Sequence, residues 1–125
     1  SNTLTPAIVA AGIKVFELLS SSTKMRDTLE DNTTYFRQKM TDAGFDLKSG
    51  IHPIVPVMLY DAKLAQKMAS ELLTHGIYVI GFFYPVVPKN EARIRVQISA
   101  SMEHHHLNKA VDSFIRVGEK MNIIK

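Results

Sequence analysis

Apolar residues recur at helical spacing in three parts of the chain. The pattern predicts a helix from about Thr23 to Asp42, with one apolar stripe formed by Met25, Leu29, Phe36 and Met40. A second helix is predicted after Asp61, a good N-cap residue, and ends at His75-Gly76. A third begins near Ser101 and has a predicted core face of Leu107, Ala110, Val111, Phe114, Gly118 and Met121. These three stripes indicate helices that each bury one side.

Three shorter stretches have the pattern of strands. Ile54–Tyr60 is rich in branched residues, and Pro56 predicts an edge strand or a bulge because proline cannot donate to a ladder. A second strand is predicted over Ile77–Phe83 and a third over Ala92–Ala100. The third alternates strictly, with Ile94, Val96, Ile98 and Ala100 on one face and Arg93, Arg95, Gln97 and Ser99 on the other.

The stretch Ala7–Leu19 is apolar on almost every side. It follows Thr5-Pro6, which has the pattern of an N-cap and a first helical position. A helix that is apolar all round is usually buried all round. We expect this helix to pack against something absent from the chain; the alternative is an ordinary central helix in a compact domain.

The order helix, helix, strand, helix, strand, strand, helix predicts an α+β fold, a small, mostly antiparallel sheet covered by helices. The 125 residues suit a single domain, 1–125. Without cysteine, a disulfide framework and a thiolate metal site are excluded. The net charge of +3 is not clustered, which argues against nucleic-acid binding, and no apolar run is long enough to predict a membrane span.

Arg93 and Arg95 are the first candidates for chemistry. Two positions apart on one strand, their side chains leave the same face about 7 Å apart. A guanidinium matches a carboxylate or a phosphate with two parallel hydrogen bonds. From the pattern alone, either an anion-binding role or a solvated polar face remains open.

The histidine run His104-His105-His106 invites a metal hypothesis. Adjacent side chains on a helix point about 100° apart, so we expect these rings not to converge and predict no metal site. We also find no Ser-His-Asp set, paired-carboxylate motif or phosphate-binding glycine loop in the sequence. The segment Gly81–Pro88 is unusual because it combines aromatic residues with prolines. Stiff apolar loops often line ligand sites, although this one could equally fold back onto its own domain.

Residues 81–100 resemble the C-terminal motif of the α-oxoamine synthases, which are pyridoxal-phosphate enzymes. The resemblance lies in Tyr84-Pro85-Val86-Val87-Pro88 followed by Ala92-Arg93-Ile94-Arg95, and extends to residues 52–59 and 1–9. It implies the small C-terminal domain of a fold-type I transferase, in which residues 1–20 pack on a large domain that holds most of the cofactor. The implied branch joins glycine to acetyl-CoA in threonine and glycine metabolism.

The resemblance also implies roles for individual residues. Arg95 matches the arginine that binds the glycine carboxylate, and Arg93 is not assigned to substrate. Ser1 and Asn2 match residues that reach the cofactor phosphate of the neighbouring subunit in a homodimer. The loop Tyr84, Pro85, Val86, Val87 and Pro88 would line the entrance of the site. No lysine here matches the Schiff-base lysine, so we expect no catalytic residue in this chain and no activity from it alone.

Two single positions and one pair of residues depart from the family pattern. Tyr60 and Asn90 stand where the family usually has glycine, and Met102-Glu103 replaces a capping pair, which leaves Ser101 or Glu103 to cap the last helix. Two alternatives stay open: a synthase that uses another amino acid or acyl-CoA, and a non-catalytic small-molecule-binding regulatory module. We expect the protein in the bacterial cytoplasm, or in mitochondria if it is eukaryotic.

Overall fold

The computed structural model describes residues 23–125. Helix α1 covers Thr23–Ala43 and is followed by strand β1, Ile54–Tyr60. Helix α2 covers Ala62–Thr74, and strands β2 and β3 cover Ile80–Phe82 and Ala92–Gln97. Helix α3, His104–Lys120, completes the described part. The predicted order of these elements and the α+β class are confirmed.

The sheet has three strands in the order β1-β3-β2, and both pairings are antiparallel. Ile94 at the centre of β3 faces Val57 on one side and Gly81 on the other. Strand β1 lies at an edge and its register shifts between Met58 and Tyr60, so both expectations drawn from Pro56 are confirmed. The segment before β1 covers part of this edge through a bridge between Leu47 and Val57.

All three helices pack on one face of the sheet. The rings of α1 and the loop after it meet α3 edge to face, with Phe114 centred 6.4 Å from Phe36 and 5.8 Å from Phe45. These rings join alternate residues of β1 and β3 in the core; its buried side chains from the two strands are Val55, Val57, Leu59, Ala92 and Ile94. The opposite face of the sheet, which carries the arginines, takes no helix from the described part of the chain.

Two strands are shorter than their patterns predict. The expected strand Ile77–Phe83 begins only at Ile80, because Ile77 donates its N–H to the Leu72 carbonyl and closes the end of α2. Strand β3 ends at Gln97 rather than Ala100. The buried Asn32 side chain on α1 donates to the carbonyls of Ser99 (3.0 Å) and Met102 (2.8 Å). These two hydrogen bonds turn the chain after Gln97 away from the sheet.

The two residues that stand in place of a family glycine have the backbone that glycine would favour. Tyr60 has φ 70° and Asn90 has φ 66°, both in the left-handed region. Glu103 is the N-cap of α3, which begins at His104 and not at Ser101. The predicted cap at Asp61 is confirmed, since its carboxylate accepts from the Leu64 N–H at 3.0 Å.

The predicted helix Ala7–Leu19, together with Ser1 and Asn2, lies outside the described residues. Within 23–125, none of the helices is both long enough and apolar enough to cross a membrane.

Candidate active site

Arg93 and Arg95 lie on the sheet face that the described helices leave open. In the ladder, Arg95 is opposite Pro56 of β1 and Ile80 of β2. Arg93 is likewise flanked by Met58 and Phe82. Because side chains alternate along a strand, these residues share one face, and the core residues Ala92 and Ile94 share the other. The alternation predicted for these positions is confirmed.

The Arg93 guanidinium is already engaged. Its Nε donates to the Glu91 carbonyl at 3.1 Å, and its Nη2 donates to the Glu91 carboxylate at 3.2 Å. Only 13% of its side chain is exposed. An arginine that is neutralised by a neighbour two residues away has little capacity left for an incoming anion.

The Arg95 guanidinium has no such partner. Among residues 23–125, no carboxylate lies within ion-pair distance of it. Its central carbon lies 4.7 Å from the centre of the Phe82 ring, in a cation–π contact. A cation–π contact uses no N–H donor in a hydrogen bond, so the N–H groups of Arg95 stay free to donate. Arg95 therefore presents an exposed, unneutralised fork.

Arg95 lines a depression of about 360 Å³. Pro56 of β1 and Arg93 of β3 line its floor. Its wall is formed by residues 48–54, the segment that leads into β1, through Lys48, Ser49, His52 and Ile54. The Nδ1 atom of His52 accepts the Ile54 N–H at 3.1 Å, so in the neutral ring the proton is on Nε2. No acidic side chain lines this depression among the described residues, and it suits an anionic ligand.

Arg37 on α1 also lines the depression, and the sequence analysis missed it. Its guanidinium donates to the carbonyls of Lys48 (2.9 Å), His52 (3.1 Å) and Ile54 (3.3 Å). Burial lowers the pKa of Arg37 from its ordinary value. Its place in the chain, directly after the core residue Phe36, was the available signal, since a cation there sits beside the buried stripe.

The loop after β2 is compact and exposed. The peptide bond between Tyr84 and Pro85 is cis, and Val86 donates its N–H to the Phe83 carbonyl at 2.9 Å. Tyr84 and Val86 are 56% and 72% exposed, so these two side chains do not fold back onto the described domain. The loop follows Phe82, whose ring contacts Arg95. Residues 84–88 of the loop do not line the depression itself.

The histidine run differs from its prediction in geometry. The rings of His105 and His106 lie 3.9 Å apart, and with Glu103 they place three possible ligand atoms within 4.8 Å of one another. The expectation that neighbouring rings would not converge is therefore wrong here. The Nδ1 lone pair of His106 is already used, however, since it accepts the Glu103 backbone N–H at 3.0 Å and stabilises the start of α3.

A family model described as aminotransferase class I and II matches residues 1–114. The chain belongs to this family. Its fold matches a solved serine palmitoyltransferase from S. paucimobilis with PLP and myriocin bound, with a TM-score of 0.78 and 25% identity over 83% of this chain and 27% of that one. The predicted fold class, that of a C-terminal domain in PLP-dependent transferases, is confirmed.

Curated relatives in this family have names that fit the sequence resemblance. The chain is 52% identical over 124 residues to 2-amino-3-ketobutyrate coenzyme A ligase of Salmonella typhimurium, which covers 99% of this chain and 31% of that protein. It is 48% identical over 118 residues to the human mitochondrial protein of the same name, covering 94% and 28%. An 8-amino-7-oxononanoate synthase of Fervidobacterium nodosum is 46% identical over 124 residues, covering 99% and 31%.

The chain thus spans about a third of the length of these relatives. Membership of the family leaves the interpretation as a free-standing regulatory module without support. The matched part corresponds to a portion of an enzyme.

Proposed function

We propose that this chain is the C-terminal part of a pyridoxal-phosphate-dependent acyltransferase that condenses glycine with acetyl-CoA to give 2-amino-3-oxobutanoate and CoA. The observation that carries the proposal is the difference between the two arginines on one sheet face. Glu91 neutralises Arg93, whereas Arg95 has no carboxylate partner among the described residues. High identity to relatives named for the ketobutyrate product supports the choice of reaction.

In this proposal Arg95 binds the glycine carboxylate through two parallel hydrogen bonds. A planar guanidinium fixes both oxygens of a carboxylate, so it sets the direction in which the rest of the amino acid points. Glycine has no side chain that could orient it, and the grip on its carboxylate is therefore decisive for which Cα–H bond faces the reaction centre. Pyridoxal phosphate, when bound, supplies the electron sink that stabilises negative charge at Cα.

The surroundings of Arg95 fit this task. The Phe82 ring contacts the Arg95 guanidinium, and a donor restricted by such a contact loses less entropy when it binds its ligand. The depression is lined by cationic side chains, and no carboxylate of the described residues lines it. A carboxylate there would repel an anionic ligand. The described residues thus fit the amino-acid side of a pyridoxal-phosphate site.

Other parts of the proposal concern residues or chains beyond the described part. We assign Ser1 and Asn2 to the cofactor phosphate of the neighbouring subunit in a homodimer. Residues 1–20 pack on the large domain, which supplies the Schiff-base lysine, so the 125-residue chain alone is inactive. Tyr84 to Pro88 line the entrance. We place the enzyme in threonine degradation, in the cytoplasm of a bacterium or the mitochondrion of a eukaryote.

The test uses the full-length enzyme that contains this chain. Replacing Arg95 with Gln removes the charge-assisted hydrogen bonds, worth roughly 1.5–3 kcal/mol, and we expect the KM for glycine to rise about 10- to 100-fold. The visible absorbance of the bound cofactor stays unchanged. Arg116→Gln is the matched control, because Arg116 is exposed on α3. A glycine KM that Arg95→Gln leaves at the control value would reject the assignment.

A second candidate is a synthase of the same family with another amino acid or acyl chain. The 46% identity to an 8-amino-7-oxononanoate synthase favours keeping it. Assays of the full-length enzyme with glycine, alanine and serine against acetyl-CoA and longer acyl-CoAs separate the two. Preference for alanine or a longer acyl chain would establish the second candidate, and Arg95 would then bind the carboxylate of that amino acid.

A further inference from the structure

We propose that Arg37 is a positioning residue for the amino-acid site: it holds residues 48–54 in place as the wall that faces Arg95. The inference rests on the proposed function, since it assigns a role to this wall in binding the amino acid. It concerns a residue on α1, remote in sequence from the motif that carries Arg95.

The contacts of Arg37 span the whole segment. One terminal guanidinium nitrogen donates to the Lys48 carbonyl, and the other donates to the carbonyls of His52 and Ile54. Three carbonyls that approach from one side need a planar group with several fixed donors, which arginine has and lysine lacks. The Nε–H of Arg37 is buried without a hydrogen-bond partner. The contacts to the three carbonyls therefore come from the two terminal nitrogens alone.

The segment has few other attachments. Its ends are fixed by backbone hydrogen bonds, from Lys48 N–H to the Pro56 carbonyl and from Ile98 N–H to the Pro53 carbonyl. Between these ends, among the described residues, the hydrogen bond from Arg37 to His52 is the only one that ties residues 49–52 to a part of the chain outside 48–54. Ile51 is 93% exposed, so packing of its side chain contributes little to fixing this stretch.

The position of the segment decides the shape of the depression. Lys48, Ser49 and His52 form its wall, and Arg95 lies across the same depression. Arg37 lines it as well and stays charged at neutral pH, so it adds to the positive field there. If the wall moves outward, the depression widens and His52 leaves its place. The ligand then loses contacts on the side opposite its carboxylate grip.

The first readout is hydrogen exchange of the full-length enzyme, measured peptide by peptide. In Arg37→Gln we expect the amides of Lys48 and Ile54, which donate to the Pro56 carbonyl and to His52 Nδ1, to exchange at least about 10-fold faster, since opening of the segment then needs no broken tie to α1. In Arg116→Gln these amides keep the wild-type rate. Arg37→Lys should lie between the two, because an ammonium replaces part of the contacts, and it remains usable if the Gln variant does not fold.

The second readout separates a positioning role from a merely structural one. We expect Arg37→Gln to raise the glycine KM about 3- to 10-fold, while kcat, the acetyl-CoA KM and the cofactor absorbance stay within about twofold. Arg37→Lys should restore part of the glycine KM. A glycine KM at the wild-type value would overturn the proposal, and so would a parallel loss of all kinetic parameters together with bound cofactor.

Failure of the proposed function has a different result. A wild-type enzyme that shows no glycine-dependent acyl transfer would reject the reaction itself. Unchanged exchange of the Lys48 and Ile54 amides in Arg37→Gln would instead reject the anchoring role of Arg37, whatever the substrate is.

Discussion

The guanidinium of Arg95 on β3 lies over the ring of Phe82 on β2, 4.7 Å from guanidinium carbon to ring centre. The two residues are not directly opposite in the ladder, since Phe82 faces Arg93 and Arg95 faces Ile80. The contact is therefore diagonal, and it draws the Arg95 side chain along the sheet toward the end of β2. The loop Tyr84–Pro88 begins two residues beyond that ring.

Phe82→Leu should weaken the binding of glycine in the full-length enzyme. The substitution keeps an apolar residue but removes the ring that restricts Arg95, and exposed cation–π contacts are worth roughly 0.5–1 kcal/mol. We expect the glycine KM to rise about two- to fivefold with kcat unchanged. Phe82→Tyr keeps the ring and is the matched control. Equal KM values for the Leu and Tyr variants would contradict a role for the aromatic contact.

Substitution of Arg93 should affect mainly stability, whereas substitution of Arg95 should affect mainly glycine binding. Arg93→Gln breaks a pair with Glu91 in which the arginine is mostly buried, and we expect the free energy of unfolding to fall by about 0.5–1 kcal/mol. Its glycine KM should stay within about twofold. Arg95→Gln should leave the midpoint of urea denaturation in place and change only glycine binding. A large effect of Arg93→Gln on glycine binding would show that both arginines contact the substrate.

Asn90 tests the turn before β3. Its φ of 66° suits glycine and, less well, asparagine. Asn90→Ala should destabilise the chain by about 1 kcal/mol, whereas Asn90→Gly should be neutral or slightly stabilising. Urea denaturation of the two variants gives the comparison. If alanine and glycine are tolerated equally, the backbone at this position is not left-handed in solution.

Tyr60 gives a prediction for alkaline pH. The phenol donates a hydrogen bond to the Asp46 carboxylate, which raises the pKa of Tyr60 above its ordinary value. A raised pKa means that the folded state holds this proton more tightly than the unfolded state. The stabilisation is therefore present below about pH 10, the value for a free tyrosine, and is lost as the pH rises through the folded value.

The measurement is the absorbance of ionised tyrosine during an alkaline titration. The difference between the wild-type curve and that of Tyr60→Phe should show one phenol that ionises above the ordinary range. Asp46→Asn serves as the control, and in it this phenol should ionise at lower pH than in the wild type. A Tyr60 that ionises at the ordinary value in both proteins would show that the hydrogen bond is absent in solution.

Asn32 joins α1 to the segment after β3. Its side-chain amide is buried and donates to the Ser99 and Met102 carbonyls. Asn32→Asp keeps the shape but loses both donors, and we expect the free energy of unfolding to fall by about 2–3 kcal/mol. Gln38→Ala, at an exposed position of the same helix, should change it by less than about 0.5 kcal/mol. Similar losses in both variants would contradict the anchoring role.

Local patterns in the sequence predict the described fold well. The strict alternation of Ala92–Gln97 gives both the core face and the arginine face of β3, because the direction of a strand side chain depends only on its position. The end of that strand was not predictable. It depends on Asn32, which lies 67 residues before Ser99 in the chain, and no local pattern carries that contact.

The candidate site divides in the same way. Arg95 and Arg93 follow from the alternation and from the family resemblance, but the difference between them depends on Glu91 and Phe82, which only the structure places. Arg37 was missed because its partners are three backbone carbonyls. Every residue has a carbonyl, so no sequence pattern marks these contacts. The convergence of His105 and His106 was missed because the first turn of a helix also obeys its capping contacts.

Strand β3 is hydrogen-bonded to a neighbouring strand on each side, whereas the segments on either side of Arg95 are connected to the outer strands β1 and β2. Arg95 therefore lies on the strand with hydrogen-bonded neighbours on both sides, and the two flanking stretches, 48–54 and 84–88, can vary in length and composition without displacing it. If Arg95 binds the amino acid as we propose, changes in these two stretches would reshape the surroundings of the ligand without moving the group that holds it.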